Sequence, residues 1–110
     1  MRQRWGERIA EAVLSWLEVV SLPHRFGGTE FRCRGKEIGH VHGDGLCDIP
    51  LPKAVRDEAV AAGKAKPHHI FPESGWVSVY LASERDAGHA IEMMRRKYRL
   101  ILDRERRDAE

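Results

Sequence analysis

Two short segments of the chain concentrate the side chains that could do chemistry. Gly39–Pro52 (GHVHGDGLCDIPLP) and Pro67–Trp76 (PHHIFPESGW) together hold four of the six histidines and four of the five prolines. Binding and catalytic groups are found disproportionately on short connections that a rigid scaffold holds in place. We therefore expect the functional site to be built from these two segments.

His40 and His42 are separated by one residue on a predicted strand, so both side chains should point to the same face. Two imidazoles on one face could begin a metal site. The residues that could complete it are Asp44, Asp48, His68 and His69. Alternatively, because Ile38 shares that face, the two histidines are partly buried and hydrogen-bonded to a carboxylate. We favour the second interpretation, and so predict no bound metal and no cofactor.

Asp48 follows a glycine-rich turn and precedes Ile49-Pro50. A carboxylate in such a place can orient a histidine and fix its tautomer. It can equally be a turn or capping residue, which is the simpler interpretation of Asp44. We take His40, His42 and Asp48 as the candidate catalytic residues.

The second segment supplies candidate ligand contacts. His68 and His69 would point to opposite faces of a predicted strand, so only one of them should face the site. Ser74 lies in no GxSxG motif, which favours a turn-stabilising role over a nucleophile. Trp76 and Tyr80 share the face opposite an apolar stripe, where they could line a pocket or simply pack at an edge. The candidate ligand-binding residues are His68, His69, Ser74, Trp76 and Tyr80.

Periodicity predicts the elements that must position these residues. A first amphipathic helix is expected from Gln3 to Val20, ended by Pro23, and the last two helices should cover Pro52 to Gly63 and Ser83 to Leu102. The predicted strands are Thr29–Arg34, Lys36–His42, Leu46–Pro50, His68–Phe71 and Trp76–Ala82. The order α-β-β-β-α-β-β-α predicts an α+β fold, with an antiparallel sheet of about five strands and three helices. Residues 1–102 should form one domain and residues 103–110 a charged tail.

Composition excludes several classes of protein. With 110 residues, 42% hydrophobic and 33% charged, the chain is neither disordered nor fibrous. Its net charge of +2 is too small to indicate nucleic-acid binding by itself. No apolar run approaches the ~20 residues of a membrane helix, and two cysteines make no disulfide framework. We expect a cytoplasmic protein with two reduced, half-buried thiols.

The sequence also resembles a known family. The run HRFGGTEFRCRGKEIGHVHGDGLCDIPLP, the helix ending at Gly63, and the run KPHHIFPESGWVSVYL are similar, together and in this order, to the luciferase domain. That domain occurs in fungal luciferases and in many small bacterial proteins. The resemblance covers about Pro23 to Tyr98.

This resemblance implies a possible function. In the fungal members it implies an oxygen-dependent reaction on a phenolic pyrone, without an obvious metal or organic cofactor. Here it implies a histidine-rich pocket made by His40, His42, Asp48, one of His68 and His69, and Trp76. A histidine base in such a pocket could deprotonate an acidic enol or phenol, and the anion could then react with oxygen.

The sequence is more distantly similar to the MmcQ/YjbR type of α+β domain, which has a double-wing fold and is often described as DNA-binding. This similarity keeps two alternatives open: a non-catalytic interaction domain, and a DNA-binding module. The latter would use Arg32 and Arg34 together with a basic cluster at Arg95, Arg96, Lys97 and Arg99, and this cluster could equally be a solvated helix face. We rank small-molecule binding first, expect no nucleic acid and no membrane as partner, and consider a homodimer through a sheet edge or the last helix compatible with the sequence.

Overall fold

The chain folds as helices packed on an antiparallel sheet, which confirms the predicted α+β class. The computed structural model describes residues 4–24 and 27–109, and in these residues it has three helices and six strands. The helices are α1 (Trp5–Val13), α2 (Lys53–Ala61) and α3 (Glu84–Ala109). The strands are β1 (Val19–Pro23), β2 (Thr29–Cys33), β3 (Lys36–His42), β4 (Leu46–Pro50), β5 (Lys66–Pro67) and β6 (Trp76–Tyr80). Their order in the sheet is β1-β2-β3-β4-β6-β5, and in the described residues no helix is long and apolar enough to cross a membrane.

The predicted first helix is too long, and this error hides a strand. The helix α1 ends at Val13, and Glu18 adopts a positive φ of 66° that turns the chain. Val19–Pro23 then pairs with β2, so Pro23 is the last residue of an edge strand and not a helix stop. β-Branched residues such as Val19 favour extended backbone, and proline is tolerated at a sheet edge. Gln3, the predicted start of the helix, lies outside the described residues.

The predicted strand His68–Phe71 is also wrong, because in this part of the chain the strand that pairs with β6 is Lys66–Pro67 and ends before His68. The backbone N–H groups of Ile70 and Phe71 both donate to Nδ1 of His68, at 3.1 Å each, and so are not available to a strand partner. At the end of the chain α3 continues to Ala109, through residues predicted to form a charged tail.

The core lies between the sheet and the helices α1 and α3. Its fully buried members include Ile9 from α1, Phe31 from β2, Ile49 from β4 and Met94 from α3. Both cysteines are reduced and fully buried in this core, deeper than the half-buried position that we expected. Side chains alternate along a strand, so the neighbours of these core residues point to the opposite face, which carries the polar side chains of β3, β4 and β6.

A β-bulge in β3 interrupts that alternation. Phe31 pairs with Gly39 and Arg32 pairs with Glu37, which leaves Ile38 as an extra residue with no partner on β2. Ile38 is consequently part of the core, and not of the face of His40 and His42 as the alternation predicted. Bulges next to sites re-aim side chains. Glu37 and His40 are three positions apart, so a regular strand would direct them to opposite faces. Here the bulge brings both onto the same face.

Gly75 holds the start of β6 against the start of α2. A Cβ on Gly75 would lie 2.0 Å from the carbonyl oxygen of Leu51, while the Leu51 N–H donates to the Gly75 carbonyl at 3.2 Å. Only a glycine allows this approach of two backbones, which places Trp76 beside the polar face of the sheet.

We predict that Gly75→Ala lowers the free energy of unfolding by about 1–3 kcal/mol, because the methyl group forces the two backbone segments apart. The matched control is Gly45→Ala, since a Cβ there meets nothing within 4 Å. Denaturant unfolding of both variants measures the difference, and equal stabilities would contradict the close approach.

Candidate functional site

The polar face of the sheet forms the floor of a cleft of about 760 Å³. Its ionisable lining side chains are His24, Glu30, Arg32, Glu37, His40, His42, Asp48, His68 and His69. Its apolar lining residues are Leu22 and Pro23 from the edge strand β1, and Ile70, Phe71 and Trp76 from the other end of the sheet. A concave site with a mostly apolar wall and a few convergent polar groups is typical of small-molecule binding.

Asp48 lies at the centre of the cleft floor, with its side chain only 1% exposed. It is on β4, where it pairs with His40 on β3 and with Ser78 on β6. Its Oδ1 accepts a hydrogen bond from the Ser78 hydroxyl at 2.7 Å. Its Oδ2 faces the Nε2 atoms of four histidines: His40 at 3.3 Å, His42 and His69 at 3.4 Å, and His68 at 3.6 Å. We call these five residues the Asp48 cluster.

His40 is held between two carboxylates. Its Nδ1 lies 2.7 Å from Oε2 of Glu37, which the bulge in β3 directs toward it, and its Nε2 faces Asp48. Burial alone would lower the pKa of His40, but the hydrogen bonds to Asp48 and Glu37 outweigh it and raise the pKa to about 9. The imidazole of His40 is therefore a cation at neutral pH.

His68 has a fixed tautomer. Because its Nδ1 accepts the N–H groups of Ile70 and Phe71, this nitrogen carries no proton, and the proton of the neutral ring is on Nε2, which faces Asp48. His69 reaches the same carboxylate, and the two rings stack with centroids 4.3 Å apart. The prediction that only one of the pair faces the site is therefore wrong, since the loop replaces the strand on which it depended.

The pKa values of Asp48, His42 and His68 are all lowered, in contrast to the raised pKa of His40. Burial raises the pKa of Asp48, but hydrogen bonds from His40 and Ser78 outweigh it and hold that pKa well below its usual range. Burial, and then the positive charge of His40, lowers the pKa of His42. Burial also lowers the pKa of His68, although the charge of the nearby Asp48 carboxylate opposes this shift. Neutral imidazoles thus lie beside a cationic one, which is the combination that proton transfer needs.

The structure adds residues that the sequence did not single out. His24, directly after β1, stacks on His40 with ring centroids 4.0 Å apart, and its Nδ1 lies 3.1 Å from Glu30. Arg32 also binds Glu30, and these two hydrogen bonds lower the pKa of Glu30. Glu30 and Ser78 are cross-strand neighbours of His40 and Asp48, so correct strand pairing would have found them. The position of His24 next to His40 could not be predicted, because the strand β1 that precedes His24 was not predicted.

Not every predicted ligand contact lines the cleft. Trp76 does, with its ring centroid 5.5 Å from that of His40. The Ser74 hydroxyl instead donates to the Phe71 carbonyl at 2.7 Å and accepts the Trp76 N–H, which stabilises the turn. Tyr80 is 48% exposed, beside Lys66.

Two groups of three residues in the described part of the chain have ligand atoms close enough to share a metal ion. They are His24 with His40 and His42, and Asp48 with His68 and His69, and in each group the atoms lie within 4.8 Å of one another. Asp44 belongs to neither group. Its carboxylate accepts the Gly6 N–H at 2.9 Å and so connects α1 to the turn after β3.

We predict that His40 stabilises the metal-free protein in a pH-dependent way. A histidine has a pKa of 6.5 when unfolded, and His40 has about 9 when folded. Its contribution is therefore fully present below pH 6.5, on the order of 3 kcal/mol, and is lost as the pH rises through about 9. The measurement is the free energy of unfolding of the wild type and of His40→Gln, in a chelating buffer, from about pH 6 to about pH 10. The advantage of the wild type should shrink across this range, and a constant difference would contradict a cationic His40.

A comparison with known protein families matches the part of the chain that carries the Asp48 cluster. The family model of the Luciferase domain matches residues 35–97, more than half of the 110 residues. The matched region contains Glu37 and the whole Asp48 cluster. No curated protein and no solved structure matches the chain significantly. The chain belongs to the luciferase domain family.

Proposed function

We propose that the cleft binds a small organic molecule with an acidic hydroxyl group, of the phenol or enol type. The apolar part of the molecule lies along Trp76 and Phe71, which are both next to His68, and the hydroxyl group meets the Asp48 cluster. The single observation that carries the proposal is the position of five ionisable side chains around one point of the floor, directly beside an aromatic wall.

The cluster has the groups needed to ionise such a ligand. His42 and His69 are its most accessible histidines, with side chains 32% and 36% exposed, so they can contact a bound hydroxyl group. His42 takes the proton, and the positive charge on His40 stabilises the anion that remains. Asp48 orients both rings, because its Oδ2 faces the Nε2 of each. A base within hydrogen-bond reach of an acidic proton is the first requirement of general base catalysis.

An oxygenase-type reaction would follow from this anion. The α-carbon of the enolate, which is the carbon of the C=C bond that does not carry the oxygen, attacks O₂; a C–O bond forms, the C–O⁻ group becomes a carbonyl, and two electrons pass from the ligand to oxygen. The resulting peroxide takes back the proton held by the cluster. The product is an organic hydroperoxide, and no reactant other than O₂ is consumed.

A thermal-shift experiment tests the binding step. In a chelating buffer, a phenolic or pyrone compound at about 100 times its dissociation constant should stabilise the protein by about 2.7 kcal/mol, which raises the Tm by roughly 10 °C. The shift should disappear in His42→Ala and persist in His89→Ala, since His89 lies on α3, away from the cleft. Compounds that shift the wild type and His42→Ala equally, or a panel that shifts neither, would contradict the proposal.

The alternative of a DNA-binding module gains little from the structure. Two of the four basic residues of the cluster have contacts within the protein: Arg95 lies over the ring of Trp16 and Arg96 binds Glu58 at 3.2 Å. The homodimer stays a prediction, for which β1 is the longer of the two edge strands.

A further inference from the structure

We infer that a basic cavity between α3 and the start of β3 binds the phosphate group of a small phosphorylated molecule, with Lys97 and Arg104 as its main contacts. The cavity shares no lining residue with the cleft that carries the Asp48 cluster. A ligand here would therefore be a second one, and its binding does not depend on the proposed function.

The lining of the cavity combines apolar residues with four cationic side chains. Its volume of about 450 Å³ is within the range of small-molecule sites. The apolar lining residues are Pro52, Leu100 and Ile101, and the cationic ones are Lys36, Lys97, Arg104 and Arg107. Among the residues that the structure describes, no acidic side chain lines the cavity. An anion that enters it therefore meets a concentration of positive charge.

The spacing along α3 explains why these charges converge. Lys97, Leu100, Arg104 and Arg107 follow one another at intervals of three or four residues, so their side chains share one face of the helix. Lys36, the first residue of β3, adds a cation from a second element. The helix and the strand thus hold the basic groups around one space.

Lys97 is a half-buried cation, and in the described part of the chain its ammonium group has no carboxylate partner. Burial lowers the pKa of Lys97, and the positive charges of Lys36 and Arg104 lower it further. Removing a charge from water is unfavourable unless the charge is paired. An anion in the cavity would supply that pair and reduce the repulsion among the three cations. Ionisable groups placed at such a cost are typical of functional sites.

Other basic side chains of α3 differ from those of the cavity. Arg96 binds Glu58 at 3.2 Å, and Arg106 lies 3.7 Å from Asp103. Arg99 is exposed and does not line the cavity. The unbalanced charge is therefore that of the cavity, and not that of the basic sequence cluster as a whole.

The cationic groups favour a phosphate over a carboxylate. A guanidinium group binds phosphate oxygens through parallel hydrogen bonds, and a lysine ammonium adds a compact charge. A phosphate monoester carries about two negative charges and three acceptor oxygens at neutral pH, which suits several cations better than the single charge of a carboxylate. Pro52 and Leu100 can contact the organic part of the molecule. The expected ligand class is a phosphate monoester with a small organic group.

Calorimetric titration with phenyl phosphate, in chloride buffer at constant ionic strength, tests the inference. We expect one molecule bound per chain, and weaker binding of inorganic phosphate, which has no organic part. Lys97→Met and Arg104→Gln should each weaken the binding of phenyl phosphate by about 10-fold or more, because each removes a charge-assisted hydrogen bond. Lys97→Met should not lower the Tm of the free protein, since the charge that it removes is half-buried and unfavourable.

The matched control is Arg99→Gln, which removes the same charge from α3 outside the cavity and should leave the affinity unchanged. A second control, His42→Ala, should also bind phenyl phosphate normally, so the failure of this site and that of the cleft are distinguishable. Equal weakening by Lys97→Met and Arg99→Gln would show only an effect of net charge and would overturn the site. Binding that is lost in His42→Ala, or an absence of binding to the wild type, would overturn it as well.

Such a phosphate group could belong to a free molecule or to a lipid headgroup. Sedimentation with phosphatidylcholine vesicles that contain phosphatidic acid distinguishes the two sources. Vesicle binding that is lost in Lys97→Met would assign the site to a lipid headgroup, whereas phenyl phosphate binding without vesicle binding would assign it to a free molecule. Binding of duplex DNA but not of phenyl phosphate, lost in the same variant, would overturn the small-molecule site.

Discussion

The arrangement of the cleft depends on one buried charge, the carboxylate of Asp48 on a central strand. Removing a carboxylate from water costs several kcal/mol unless it is paired and hydrogen-bonded. The sheet supplies one neighbour from each side, His40 on β3 and Ser78 on β6. The loop after β5 supplies the other partners, His68 and His69. A hydrophobic residue at this position would fill the sheet more simply, so we infer that the charge is kept for what it organises.

Two irregularities of the backbone serve that organisation. The bulge at Ile38 directs the Ile38 side chain into the core and the Glu37 side chain to His40 on the cleft face. The loop after β5 folds back on Nδ1 of His68, which fixes the tautomer of this ring and brings both histidines to one carboxylate. Regular strands in both places would have directed some of these side chains away from the site.

The regular strands could be predicted from the sequence, whereas the irregular segments could not. The strands β2, β3 and β4, and with them the shared face of His40 and His42, follow from alternation and turn residues, and these predictions were correct. The bulge could not be predicted, because it depends on pairing between strands. The edge strand β1 was missed because Trp16 continues the helical spacing of α1 beyond Val13, and His24 was missed with it. Glu37 and Ser78 became recognisable only when the register placed them beside His40 and Asp48.

The most direct test of the central claim is an NMR comparison of the imidazole rings in the wild type and in Asp48→Asn, both free of metal. We expect the ring nitrogen signals of His40, His42, His68 and His69 all to change in the variant, while those of His89 do not. In the wild type, the proton of His68 should be on Nε2. A response confined to His40, or a wild-type His68 with its proton on Nδ1, would contradict the claim that one carboxylate organises the four histidines.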